Sequence, residues 1–375
     1  MSESDNIAFY QILNHQSRIV SEPGSETDFE IQDYTLDPKT MLAFYQQMVL
    51  TRTFDQKAVS LQRTGRLGTY ASSLGQEAIG TALGEAMQAN DVLIPTYREY
   101  AAQLARGVKM SSLLLYWGGD ERGMAFADAP AGTRQDMPIC VPIASQTCHA
   151  VGIAYAMKLR REKRVAVCVL GDGATSKGDF YEALNAAGVW QLPLVFIIAN
   201  NQWAISLPRS MQSGASSLAQ KAWAGGIQGE QVDGNDVLAC YERFQLAIEQ
   251  ARDKQGPAVI EAMTFRLCDH TTADDASRYR QDAEVEKQWQ YEPIKRLKNY
   301  LLTEHIISVQ QLEVIQSQCN EQVNAAVNEY LSTASMSPSN MFEHLYEQLP
   351  AALQSQKDEV ERRNSPTNKQ IGGVA

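Results

Sequence analysis

Apolar residues recur at helical spacing through residues 37–64 (DPKTMLAFYQQMVLTRTFDQKAVSLQRT) behind an Asp-Pro start signal, which predicts a long amphipathic helix. A second helix is predicted from near Leu74 in LGQEAIGTALGEAM, and a third from near Glu99. Between residues 139 and 265 the pattern changes. Residues 164–170 (RVAVCVL) and 194–199 (LVFIIA) run apolar without alternation, as strands buried on both faces do. Residues 178–190 between them have helical spacing, so strand, helix and strand form a right-handed parallel βαβ unit. Residues 236–254 read as a further helix leading into a strand at 258–265 (AVIEAMTF). Beyond about residue 283 the pattern is helical and charged.

These elements predict an α/β protein with a mostly parallel sheet flanked by helices. Residues 1–38 carry one short apolar patch, 7–13, and read as an N-terminal arm that packs on something larger, another subunit being one candidate. Residues 39–364 read as the α/β domain with its helical C-terminal extension. Residues 365–375 (SPTNKQIGGVA) lack periodicity and read as a disordered tail. Residues 207–229 and 268–282 are long, polar connections with few apolar anchors, a length that signals function or mobility.

Composition narrows the partners. Of 375 residues 44% are hydrophobic and 21% charged, the balance of a globular protein. The formal net charge of −11 argues against nucleic acid as a partner, because phosphate binding needs clustered Lys and Arg. The six cysteines are scattered without a C-x-x-C pair, and read as free thiols in a reducing compartment. The amino terminus lacks the basic and apolar regions of a secretory signal, and no run is long enough to cross a membrane. The expected location is the cytoplasm, with no membrane partner.

The candidate chemistry sits in residues 171–206 (GDGATSKGDFYEALNAAGVWQLPLVFIIANNQWAIS). Asp172 lies between Gly171 and Gly173 at the end of one predicted parallel strand, and Asn201 at the end of the next. Parallel order puts both side chains on one rim of the sheet, where open α/β sheets bind ligands. A carboxylate, an amide oxygen and a backbone carbonyl suit magnesium, which keeps positions for phosphate and water. The glycines let the backbone approach, and amides from Gly173 onward feed a helix and can donate to phosphate oxygens.

With Asn200 and Asn201 following the G-D-G motif at this interval, the chain resembles thiamine diphosphate enzymes. LQRTGRLGTYASSLGQEA, IPTYREYA, VPIASQ, AISLPRS, QVDGNDVLACY and EAMTFRLCDHTTADDASRYR extend the likeness. Together they resemble the α subunit of the pyruvate and branched-chain 2-oxo acid dehydrogenases, from about residue 40 to residue 350. The resemblance implies the thiamine-diphosphate-binding fold. It implies Mg2+ on Asp172, Asn201 and the Trp203 carbonyl, with Tyr97, Arg98, Gly171, Gly173 and Ala174 around the diphosphate. Ile143 sits where the family offers a carbonyl to the aminopyrimidine, and Val141 stands near it. His270 is implied to touch the cofactor phosphate and face the lipoyl carrier, with Arg266 and Tyr279 in the same active-site loop. Asp274 and Asp275 read as ordering that loop, and His149 as structural. Thr271 and Ser277 stand where some relatives are phosphorylated, and no modification is predicted here.

Decarboxylation of a 2-oxo acid and acyl transfer to a lipoyl-bearing acyltransferase are the implied activity. The predicted elements include only one such sheet, so a β subunit must supply the ring-activating glutamate, in an α2β2 assembly. Arg122 stands where several relatives have a histidine, so no second catalytic histidine is carried over. Motifs of both substrate types occur, and pyruvate, branched-chain 2-oxo acids and acetoin remain open as substrates. From a different class, a silent magnesium-nucleotide-binding scaffold on the same fold is the alternative. The combination of Arg266, His270 and Tyr279 with Asp172 and Asn201 speaks against it.

Overall fold

Asp37 accepts from the Lys39 amide and Pro38 occupies the first turn, so the first long helix starts where its capping signal stands. This computed structural model describes residues 7–20 and 36–364. The tail 365–375 and the remainder of the arm, residues 1–6 and 21–35, lie outside the described residues.

The helices are α1 (Pro38–Arg63), α2 (Glu77–Ala86), α3 (Tyr100–Ala105), α4 (Met110–Trp117), α5 (Ser145–Leu159), α6 (Gly178–Trp190), α7 (Arg209–Gln212), α8 (Val237–Arg252), α9 (Asp282–Gln288), α10 (Pro293–Thr303), α11 (Val309–Ser332) and α12 (Ala351–Asn364). The strands are β1 (Phe9–Tyr10), β2 (Val92–Ile94), β3 (Ala166–Gly171), β4 (Leu194–Asn200), β5 (Trp203–Ala204), β6 (Leu207–Pro208), β7 (Gln228–Asp233) and β8 (Ala258–Met263). The chain forms two compact units, Met1–Tyr330 and Leu331–Ala375. The second holds α12, which buries no side chain.

The first unit is built on a six-stranded sheet in the order β1-β7-β8-β4-β3-β2, with every pairing parallel. Alternate residues serve opposite faces, as the period of two requires. Val165, Val167, Val169, Val195, Ile197 and Ile260 pack with α1, α2, α8 and α10. Ala166, Cys168, Leu170, Phe196 and Ile198 pack with α5 and α6. All seven residues of β4 are buried. Each large apolar side chain there contributes about 1.5–3 kcal/mol relative to exposure. That two-sided burial explains why β3 and β4 read as unbroken apolar runs.

Three elements depart from the sequence-based expectation. The second helix starts at Glu77, with residues 74–76 forming a turn in which Gly75 takes φ +94°. Within 207–229 the expected scarcity of anchors gives way to buried Leu218, Ala219 and Ala222, and the amides of Leu218 and Ala219 donate to Glu261 of β8 at 2.7 and 3.0 Å. The sequence β7 (QGEQVD) shows no apolar run because it lies near the sheet edge and is only partly covered. The described part of the arm packs on its own chain. β1 pairs with β7, and the amides of Ile12 and Leu13 donate to Asp236 at 2.7 and 2.6 Å.

Candidate active site

Four neighbouring strands, β8, β4, β3 and β2, end on one rim, and the residue sets singled out from the sequence leave from those ends. Gly171 of β3 stands opposite Ala199 of β4, and Asn200 opposite Met263 of β8. Asp172, Asn201 and the segment Arg266 to His270 therefore emerge side by side. Tyr97 and Arg98 follow the end of β2, a three-residue strand too short for its period to be read.

A cavity of about 190 Å³ lies at this rim. Its walls include Tyr97, Arg98, Ile143, Gly171, Asp172, Gly173, Ala174, Asn201, Trp203 and His270. Val141, Arg266 and Tyr279 are not part of that wall. Gln76, Glu99 and Gln146 are, although the sequence alone assigned them no role. Their only local signal was position, Gln76 beside Gly75 and Gln146 in the first turn of α5.

Asp172 is 2% exposed, and its Oδ2 has no hydrogen-bond partner among the described residues. Burial pushes its carboxyl up to about 6, opposed by backbone amides and by Arg266 and Arg209. Asn201 Oδ1 accepts from the Trp203 amide at 3.3 Å. Its neighbour Asn200 donates to Glu261 at 2.6 Å, which anchors the Asn-Asn turn. Gln202 and Ile205 take positive φ, +69° and +57°, and bring the chain back as the β5-β6 hairpin beside Gly173. A Cβ on Gly173 would sit 2.8 Å from the Ala204 Cβ, whereas one on Gly171 would meet nothing within 4 Å. Gly171 thus leaves open space at the strand end.

His270 Nδ1 lies 3.0 Å from Arg98 Nη2 and 3.4 Å from Arg266 Nη1. A guanidinium only donates, so Nδ1 is the acceptor and the ring proton resides on Nε2. Burial, then Arg98 and Arg266, push this imidazole down to about 4, so it is neutral at pH 7. Asp274 accepts from the His270 amide at 2.9 Å and from the Tyr279 hydroxyl.

Arg266 is fully buried. It donates to the carbonyls of Trp203, Ile205 and Cys268 and to the Tyr279 hydroxyl. It and Tyr279 brace the loop from behind. Burial, then the bond to Asp274, pushes the Tyr279 phenol up to about 12. Arg98 also donates to the carbonyls of Ser72 at 2.5 Å and His270 at 2.6 Å. Arg122 pairs instead with Asp120 and is absent from the cavity wall.

The donor set is made of oxygens: one carboxylate, one amide and the Trp203 carbonyl, whose second lone pair remains beside its bond to Arg266. Among the described residues no group of three or more His, Cys, Asp or Glu forms a metal cluster. Such a mixed oxygen set suits a hard cation that shares its shell with phosphate. Two apolar side chains of the cavity wall are exposed, Ile143 at 45% and Ile205 at 55%.

Comparison with known proteins agrees in extent. Residues 45–339 match the family described as "Dehydrogenase E1 component". A Mycoplasma genitalium protein named "Pyruvate dehydrogenase E1 component subunit alpha" is 36% identical over 348 residues, 93% of this chain and 94% of that protein. A Staphylococcus aureus protein of the same name is 35% identical over 359 residues, 95% of this chain and 93% of that protein. A Mycobacterium tuberculosis protein named "3-methyl-2-oxobutanoate dehydrogenase subunit alpha" is 38% identical over 344 residues, 92% of each chain.

Proposed function

The chain belongs to the Dehydrogenase E1 component family, and from that premise we propose that it is the α subunit of a pyruvate dehydrogenase. With a β subunit it decarboxylates pyruvate on thiamine diphosphate and passes the acetyl group to the lipoyl group of an acyltransferase.

The carrying observation is a half-built site: a buried oxygen donor set, open on an apolar rim, at the end of a single parallel sheet. Its volume of about 190 Å³ falls below the range of about 300–1,000 Å³ of complete small-molecule sites. The residues fit the cofactor. Asp172 Oδ2 is an unpartnered buried carboxylate oxygen, and Gly171 leaves room where a side chain would project. Asp172, Asn201 and the Trp203 carbonyl would hold Mg2+. Tyr97, Arg98, His270 and the backbone of Gly173 and Ala174 would hold the diphosphate, with Ile143 and Val141 towards the aminopyrimidine. Bound there, the cofactor supplies the electron sink for decarboxylation.

This chain's own residues do the rest. Arg98 offers a fixed positive charge, and with both Nη2 hydrogens on His270 and one Nη1 hydrogen on Ser72 it keeps single donors on Nε and Nη1 for phosphate oxygens. Neutral His270 presents Nε2–H, a donor that can face phosphate or the incoming lipoyl carrier. Arg266 and Tyr279 hold that ring in one orientation. Exclusion of water and ionisation of the cofactor ring fall to the β subunit, in an α2β2 assembly placed in the cytoplasm.

A branched-chain 2-oxo acid dehydrogenase is the second reading, favoured by the 38% identity to the Mycobacterium tuberculosis protein. Rates on pyruvate, 3-methyl-2-oxobutanoate and acetoin, measured with the cognate β subunit, separate the two. The proposal expects the highest kcat/KM on pyruvate, and a preference for the branched acid overturns it.

A further inference from the structure

We propose that Gln76 is a further binding residue of this site, its side-chain amide donating a hydrogen bond to a diphosphate oxygen. The inference rests on the reading of the cavity as a diphosphate site. Gln76 lines the cavity together with Arg98, Asp172, Asn201 and His270, and it is 7% exposed. Its Nε2 has no hydrogen-bond partner among the described residues. An unpaired buried donor costs about 1–3 kcal/mol, a cost native folds keep where a ligand offsets it.

The backbone around Gln76 is held on both sides. Gly75, at φ +94°, donates to Glu77 at 3.0 Å and accepts from Thr264 Oγ1 at 2.8 Å. A Cβ at Gly75 would stand 2.7 Å from the Phe265 carbonyl oxygen, so only glycine lets the turn approach this closely. Glu77 is tied to Arg52 at 2.5 Å, and Arg52 to Glu292 at 2.7 Å. Gln76 precedes α2 without using its side chain as a cap. The amide is thus delivered to the cavity by a rigid turn while its own hydrogen-bonding capacity is unspent.

Polarity decides the partner. Among the described residues three on the cavity wall carry an unpartnered buried atom: Gln76 Nε2, Gln146 Oε1 and Asp172 Oδ2. Gln146 donates its own Nε2 to the Val169 carbonyl at 2.9 Å, which turns Oε1 towards other donors. Asp172 likewise accepts, and suits a cation. Gln76 alone of the three donates, and so alone addresses an anion. Among the described residues Arg98 is the only cationic side chain on the cavity wall, which leaves a polyanionic ligand in need of further neutral donors.

The test uses the chain assembled with its β subunit and titrates thiamine diphosphate by calorimetry at fixed Mg2+. Gln76→Met keeps the length and removes the donor. Gln76→Glu replaces the donor with an acceptor. Loss of one charge-assisted hydrogen bond predicts binding about 10- to 100-fold weaker for Gln76→Met. Gln76→Glu should bind more weakly still, and inorganic pyrophosphate used as a competitor should lose affinity in the same order. The ligand-free Gln76→Met protein should unfold at or above the wild-type temperature, because no protein contact is lost. Wild-type affinity in both variants overturns the role of Gln76 while leaving the site intact. Weaker binding matched by a lower ligand-free midpoint in Gln76→Met overturns it in favour of a structural role. If the wild-type assembly does not bind thiamine diphosphate, the parent reading falls and this inference with it.

Discussion

Asp172 shows most directly how one residue trades stability for a site. Its carboxyl is raised from 3.8 to about 6, so the folded protein holds the proton more tightly than the unfolded chain does. Stability from this group is therefore present at low pH and declines as pH rises through about 4 to 6. At pH 7 the ionised carboxylate, with its Oδ2 unpartnered, is a cost. Asp172→Asn should stabilise the ligand-free protein at pH 7 by about 1–3 kcal/mol, with the difference vanishing below pH 4. The same variant should lose Mg2+-dependent cofactor binding. Denaturation midpoints across pH, paired with calorimetry, check both halves, and a destabilised apo variant at pH 7 would refute the first. Asp172, Gly173 and Asn201 were legible because a G-D-G turn and an Asn pair at strand ends are local patterns. Gln76 and Gln146 were not, since an unpaired amide is defined by what surrounds it in space. His270 was legible as a residue, but its tautomer depended on two arginines, 172 and 4 positions away.

At the scale of elements, the long helices and buried strands were the readable part. α1, α6 and α8 fall within a residue or two of their predicted bounds, because capping and periodicity are written in contiguous residues. β1 and β7 were missed, for β1 is a two-residue strand that pairs with β7 across more than 200 residues, and β7, paired on its other side with β8, carries no apolar run. Asp236 ties the two together. It caps α8 through the amides of Leu238 and Ala239, and accepts from the amides of Ile12 and Leu13 in the arm. Replacing it with Ala removes one cap and strands two buried donors, an expected loss of about 2–4 kcal/mol. Hydrogen exchange at residues 7–20 should rise in step with the lower denaturation midpoint, while Asp236→Asn, which retains an acceptor, should lose less. Protection of the arm unchanged in Asp236→Ala would show that β1 alone holds it.

For the whole molecule, the rim of the sheet is an incomplete container. Exposed Ile143 and Ile205 border the cavity, and Tyr155, Leu159, Val189 and Trp190 leave the outer faces of α5 and α6 partly apolar. The chain alone should show no decarboxylation of 2-oxo acids, and addition of the cognate β subunit should restore it together with a shift to a larger species in sedimentation. Substantial activity from the isolated chain would sink the split-site proposal. All six cysteines are free, consistent with their scattered spacing, and no helix among the described residues is long and apolar enough to cross a membrane. What the sequence determined by itself was the βαβ unit, the residues at its strand ends and the family they resemble, because each depends on neighbours along the chain. Only the tertiary structure decided the strand order that brings four loops to one rim. It alone placed Arg266 behind His270 rather than on the wall, and left Gln76 with an unspent donor. Those properties arise from groups distant in sequence meeting in a low-dielectric interior, where the presence or absence of one partner sets both cost and chemistry.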